Sequence, residues 1–181
     1  EGHAIAAGNA VLMAQRGIES AAVAQQAETL TAQGKTLVYV ARDGTFAGLI
    51  ALADVIRPES REAVQALQAR GIEVVMLTGD HRNVAAYVAQ ELGIATYFAE
   101  VQPGQKAATV QQLQAVGKRV GMVGDGINDA PALARADIGF AMGAAGTGTA
   151  IETADVALMD DDLRKLPRFV RLSRHTHAVL V

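Results

Sequence analysis

From Pro58 onward, short apolar runs rich in β-branched residues alternate with segments that tend to open on proline and close on glycine, and this rhythm constrains the fold more than any other feature. Proline in a first helical turn costs no hydrogen bond, and glycine is favoured just past a helix end. The spacing predicts helices over 58–70, 83–92, 103–116 and 130–135, with Gly71, Gly93 and Gly117 as the first three stops. The intervening runs Ile72–Leu77, Arg119–Val123, Asp137–Ala141 and Asp155–Met159 read as buried strands. Such alternation builds parallel β-α units, an α/β fold in which ligands bind at the carboxyl ends of the strands.

The first third reads differently. A short strand is followed by helices over 9–16 and 20–33, stopped by Gly17 and Gly34. Two apolar runs, Leu37–Ala41 and Phe46–Leu52, are joined by Arg42-Asp43-Gly44-Thr45. Asp-Gly between strand-like runs is a hairpin signal. Residues 1–53 are therefore expected to form a small α+β region, 54–174 the α/β domain, and 175–181 the start of a linker. Neither end of the sequence has the character of a chain terminus, so the 181 residues are read as part of a longer polypeptide.

Composition removes several function classes. Sixteen Lys and Arg against 19 Asp and Glu leave a formal net charge of -3, which argues against nucleic acid as a partner. There is no cysteine, so disulfides, thiolate metal sites and cysteine nucleophiles are excluded. No apolar run approaches the roughly 20 residues of a membrane-spanning helix.

Three strand or helix ends carry chemistry. Thr78-Gly79-Asp80 follows the run Ile72–Leu77. Its hydroxyl, its unencumbered backbone and the following helix could hold a phosphoryl group, or Thr78 or Asp80 could simply cap that helix. Gly124-Asp125-Gly126-Ile127-Asn128-Asp129-Ala130-Pro131 follows Arg119–Val123. Capping explains one polar residue there, but not Asp125, Asn128 and Asp129 within five positions. Crowded hard oxygen donors call for a cation, and the set favours Mg²⁺, which keeps waters and shares phosphate oxygens. Lys106 sits near the start of the helix opened by Pro103, where a cation opposes the helix dipole. A phosphate between Thr78, Lys106 and Mg²⁺ on Asp125 would account for all three.

Taken together, Thr78-Gly79-Asp80, the Pro103-to-Lys106 segment and the Gly124-to-Leu133 motif resemble the phosphorylation domain of heavy-metal-translocating P-type ATPases, which has a haloacid-dehalogenase-like (Rossmann-like) fold. Asp54 with Arg57-Pro58 and the tail from Glu152 to Arg174 are similar to the same branch, the tail looking zinc/cadmium/lead-like rather than copper-like. Gly8-Asn9 is similar to a nucleotide-binding pair late in that branch's nucleotide domain. The resemblance implies ATP and Mg²⁺ as cofactors. It implies Asp125 as the metal ligand, Lys106 steadying the transferring phosphoryl group, and Thr78, Gly79 and Asp80 around it. Asn128 and Asp129 would organise the site. It further implies a membrane-bound parent, in a bacterial plasma membrane with this segment on the cytoplasmic side. In that parent the cation would pass through membrane helices, and actuator and membrane domains would lie on the same polypeptide.

One departure is large: the Asp-Lys-Thr-Gly-Thr motif that carries the family's phosphorylated aspartate is absent. Asp43-Gly44-Thr45 is explained by hairpin chemistry, and Gly146-Thr147-Gly148-Thr149 lacks a preceding Asp-Lys. The acceptor is expected upstream of Glu1, leaving the isolated chain inactive. Two rivals stay open. One is a haloacid-dehalogenase-like phosphatase with Asp54 as nucleophile, against which Ile56 stands where such enzymes place a second Asp; the other is a non-catalytic nucleotide- or metal-sensing module. His175 and His177, beside Arg171 and Arg174, are two ligands short of a metal site and read as a basic helix end leading toward a membrane.

Overall fold

The computed structural model describes the backbone of all residues except 1, 54, 125–126, 144–151 and 181, and the side chains of these and of residues 127 and 180 are likewise left aside. The N-terminal region is a three-stranded antiparallel sheet of order β1-β2-β3, with β1 Ile5–Gly8, β2 Thr36–Arg42 and β3 Thr45–Leu52. The hairpin turns at Asp43 and Gly44, whose φ values of 51° and 78° are both positive, as the twist-compatible two-residue turn requires. Helices α1 (Ala10–Gln15) and α2 (Ala24–Ala32) cross between β1 and β2. Met13, Ile18 and Ala41 form the local core, with Tyr39 and Phe46 packed against it.

The α/β region follows. Helix α3 (Pro58–Gln68) leads to β4 (Val75–Leu77), then α4 (Arg82–Leu92), β5 (Thr96–Phe98), α5 (Pro103–Ala115) and β6 (Gly121–Gly124). A 3-10 turn at Ile127–Asp129 runs into α6 (Ala130–Arg135), followed by β7 (Ile138–Met142), β8 (Val156–Leu158) and α7 (Lys165–Leu180). Among the described residues of this region all pairings are parallel: β4 with β5, and β6-β7-β8 in that order. The expected α/β class is therefore present, in two separate parallel sheets.

The predicted strands were too long at their amino ends. Residues 72–74 and 119–120 precede β4 and β6 without joining them. There Glu73 and Lys118 form an ion pair, and Val120 N–H donates to the Asp137 carboxylate at 2.9 Å. The Asp137 carboxylate thus takes up a backbone N–H that a ladder would otherwise use. Strand β5 has no counterpart in the sequence reading, because three residues are too few for a period to register.

Two cores hold the larger sheet. Val110, Met122, Ala132, Leu133 and Ala141 pack α5 and α6 against β6 and β7. Phe140, Met142, Leu158 and Leu166 pack α7 on the other side, where Phe169 meets Phe140 edge to face at 5.2 Å. Val64, Ala89 and Ile94 join α3 and α4 beside β4. Among the described residues, no helix is long and apolar enough to cross a membrane.

Candidate phosphoryl-transfer site

Thr78 directly follows β4 and is held through its backbone by the end of β5 and the segment after it. Its N–H donates to the Phe98 carbonyl and its carbonyl accepts from Val101 N–H, both at 3.0 Å. The hydroxyl donates to Asp80 Oδ2 at 2.6 Å, and Asp80 N–H returns a bond to the same Oγ1 at 3.1 Å. Neither residue caps α4: the N-cap is His81, which makes no side-chain capping bond. The capping explanation for this motif therefore fails, and Thr78 and Asp80 instead orient one another. Gly79 is exposed, and a Cβ there would have only the Val101 carbonyl within 4 Å, at 3.7 Å. The backbone at this strand end is open to an incoming group.

Lys106 reaches the end of β6. Helix α5 begins with a capping box in which Gln102 accepts from the Gln105 backbone and Gln105 Oε1 accepts from Gln102 N–H at 3.0 Å. That fixes the first turn and directs Lys106 toward the 3-10 turn before α6. Its Nζ donates to Asp129 Oδ1 at 2.6 Å, with only 18% and 9% of the two side chains exposed. Asp129 is among the few buried polar residues of the chain. It is also the N-cap of α6, yet makes no capping bond. Its carboxylate is committed to the lysine. Gly124 permits this: a Cβ there would lie 2.6 Å from Asp129 Cβ and 2.8 Å from its Oδ2.

Lys106 thus opposes its helix dipole because a buried carboxylate holds it, which outweighs a dipole effect of a few tenths to about 1 kcal/mol. A desolvated ammonium beside a carboxylate, at the carboxyl end of a parallel strand, is suited to a phosphoryl group. Asn128 is exposed next to it. Asp125, predicted as the Mg²⁺ ligand, lies outside the described residues, as does Asp54. Among the described residues, no cluster of three or more His, Asp or Glu gathers as a protein-only metal cage. With Asp129 engaged by Lys106, the exposed Asn128 is the hard-oxygen donor left beside this strand end, which suits a Mg²⁺ that takes few protein ligands and completes its shell with water and phosphate.

Two pairs are brought together, Thr78 with Asp80 and Lys106 with Asp129. No hydrogen bond or ion pair joins one pair to the other among the described residues. Thr78 and Asp80 follow the parallel strand β4, and Asp129 follows β6. These two strands pair only with β5 and β7 respectively, so each has one edge unpaired among the described residues. At the opposite end the Glu73–Lys118 pair ties the approaches to the two strands together. Asn9 stands apart: its Oδ1 accepts from Leu12 N–H at 2.9 Å and caps α1, and Gly8 leaves room for the Leu12 side chain. The residues that sequence reasoning missed are Phe98 and Val101, which hold Thr78 through backbone atoms that no side-chain pattern reveals.

The fold and these strand-end residues define a class. A family model described as haloacid dehalogenase-like hydrolase matches residues 2–137, and the chain belongs to that family. Its relatives include metal-exporting P-type ATPases. The chain is 49% identical to a copper-exporting P-type ATPase of Bacillus subtilis over 97% of its own length and 22% of the relative's. It is 56% identical to a zinc-exporting P-type ATPase of Mycobacterium marinum, over 76% of this chain and 19% of the relative. The crystal structure of a zinc-transporting PIB-type ATPase in an E2·Pi state superposes with a TM-score of 0.82 at 39% identity, covering 98% of this chain and 28% of that one. The chain thus spans about a fifth of the curated relatives it matches.

Proposed function

We propose that this chain is the phosphorylation core, with the end of the nucleotide-binding domain, of an ATP-driven heavy-metal cation exporter. The observation that carries the reading is the buried Lys106–Asp129 pair at the carboxyl end of β6. Phosphoryl transfer needs positioning and charge neutralisation more than covalent chemistry from the protein. Lys106 supplies a fixed positive charge with little solvent to screen it, and Asp129 holds that charge in place. Thr78 and Gly79 would bind phosphoryl oxygens, with Asp80 orienting the threonine hydroxyl. Asp125 would hold Mg²⁺, which supplies charge neutralisation to the phosphate, and Asn128 and Asp129 would organise the site around it. Gly8 and Asn9 would face the nucleotide.

The acceptor carboxylate would arrive on an additional strand. Entering in parallel between the unpaired edges of β4 and β6, it would end beside Thr78 on one side and Asp129 on the other. Membrane helices and an actuator domain elsewhere in the parent would couple turnover to cation movement. The domain boundaries of the sequence reading, 1–53, 54–174 and 175–181, are retained. The segment would lie on the cytoplasmic side of a bacterial plasma membrane.

The test is phosphoenzyme formation from γ-labelled ATP and Mg²⁺. The 181-residue chain should incorporate no label, whereas its full-length parent should, on an aspartate upstream of Glu1. Lys106→Ala in the parent should lower metal-stimulated ATP hydrolysis by about 100-fold or more, the scale of losing one preorganised electrostatic contact. Stable labelling of the isolated chain would overturn the reading.

A further inference from the structure

Two adjoining cavities lie along the seam between α2, from the N-terminal region, and α4, from the α/β region. The larger, of about 580 Å³, is walled by alanines of both helices with Tyr39 and Tyr87. The smaller, of about 250 Å³, is lined by Lys35, Thr36, His81, Arg82 and Glu100, and shares Thr31 and Asn83 with the larger. The walls meet closely. Gly34 has a φ of +74°, and a Cβ there would lie 2.4 Å from the Tyr87 ring. A side chain at this position, just past the end of α2, would collide with Tyr87 on α4. Neither Thr78, Asp80, Lys106 nor Asp129 lines either cavity, and Gly8 and Asn9 do not either.

The charges of the smaller cavity are unbalanced. Glu100 is engaged by the His81 ring at 3.2 Å. Lys35, half-buried, and Arg82, exposed, come from the two different regions, and neither side chain has an ion-pair or hydrogen-bond partner among the described residues. Two cations sharing a cavity repel unless an anion lies between them, and each then gains a charge-assisted hydrogen bond. The hydroxyls of Thr31 and Thr36 and the Asn83 amide add uncharged donors on the same surface. We propose that this cavity binds a phosphate group, held by Lys35 on one side and Arg82 on the other, so that the bound anion clamps the N-terminal region onto α4. The group is either free inorganic phosphate or the phosphate of a small organic ester whose body occupies the tyrosine-lined cavity.

Isotope-labelled 181-residue chain titrated at low ionic strength separates these cases. Inorganic phosphate should give saturable amide shifts at Lys35, Thr36, Arg82 and Asn83. Lys35→Gln and Arg82→Gln should each weaken binding about three- to fivefold, and the double variant about tenfold or more, as expected of partly solvated ion pairs. Glu100→Gln, which removes the one carboxylate lining the smaller cavity among the described residues, should tighten it, an effect that mere loss of folding could not produce. Thr78→Ala should leave the titration unchanged. Adenosine monophosphate distinguishes the sources. Affinity equal to inorganic phosphate marks a free-anion site; tighter binding with shifts spreading to Tyr39 and Tyr87 marks an organic phosphate. Absence of saturable shifts with both compounds would overturn the proposal. So would a titration that Thr78→Ala abolishes, or one that the Lys35 and Arg82 substitutions leave untouched.

Discussion

Lys106 and Asp129 are 23 positions apart, and burial makes their pairing consequential. Removing one member of a desolvated pair leaves the other charge uncompensated, which costs more than the pair itself contributes. Lys106→Ala in this chain should therefore destabilise it by about 2–3 kcal/mol in urea denaturation, reduced from the fully buried range by the lysine's residual exposure. Asp129→Asn combined with Lys106→Ala should cost less than the sum of the single changes, because the two residues share one interaction. An additive double variant would show that the ammonium and carboxylate act separately. The sequence presented Lys106 as a helix-start anomaly and Asp129 as one of three crowded oxygen donors, of which capping explained only one. Asp129 makes no capping bond and is turned to Lys106 instead, a partner set by distance in three dimensions.

At the scale of an element, the start of α7 is organised by charge. Arg164 forks onto Asp162, with Nε to Oδ1 and Nη2 to Oδ2 both at 2.9 Å, and reaches Glu62 on α3 at 3.5 Å. The Arg164 hydrogen bonds hold the Asp162 carboxyl at about 2, below its ordinary value. A carboxylate with a lowered folded-state pKa favours the folded chain above its unfolded value. That contribution fades as pH falls from about 4 toward 2. Asp160 is lowered in the same sense by Lys165. Denaturation midpoints of the wild type should fall more steeply across this window than those of Asp162→Asn; parallel profiles would rule out the linkage. The effect is expected to be small, because solvent and salt screen exposed pairs. None of this was legible in the run Met159-Asp160-Asp161-Asp162, where like charges alone are visible.

In the molecule as a whole, the two parallel sheets are unequal. Strand β7 is paired on both sides, and its residues Phe140, Ala141 and Met142 are buried. Strand β4 has three residues, one partner and only half-buried side chains. Local opening follows pairing and burial. Amide exchange of the isolated chain should therefore show β7 most protected and β4 exchanging well before it. Uniform protection across the two sheets would contradict the two-sheet arrangement. An additional strand between β4 and β6 should slow exchange on both facing edges.

The sequence by itself determined the α/β class, the hairpin at Asp43-Gly44, the helix starts at Pro58 and Pro103 and the strand ends where polar residues gather. These follow from local rules, since proline, glycine and apolar period act within a few residues of where they stand. Tertiary structure alone decided that Thr78 orients Asp80 instead of capping α4, that Lys106 is held by Asp129, and that three residues at Thr96–Phe98 pair as a strand supporting Thr78. Each of these depends on a contact whose partner is chosen by packing, and packing is a property of the whole chain that no local window contains.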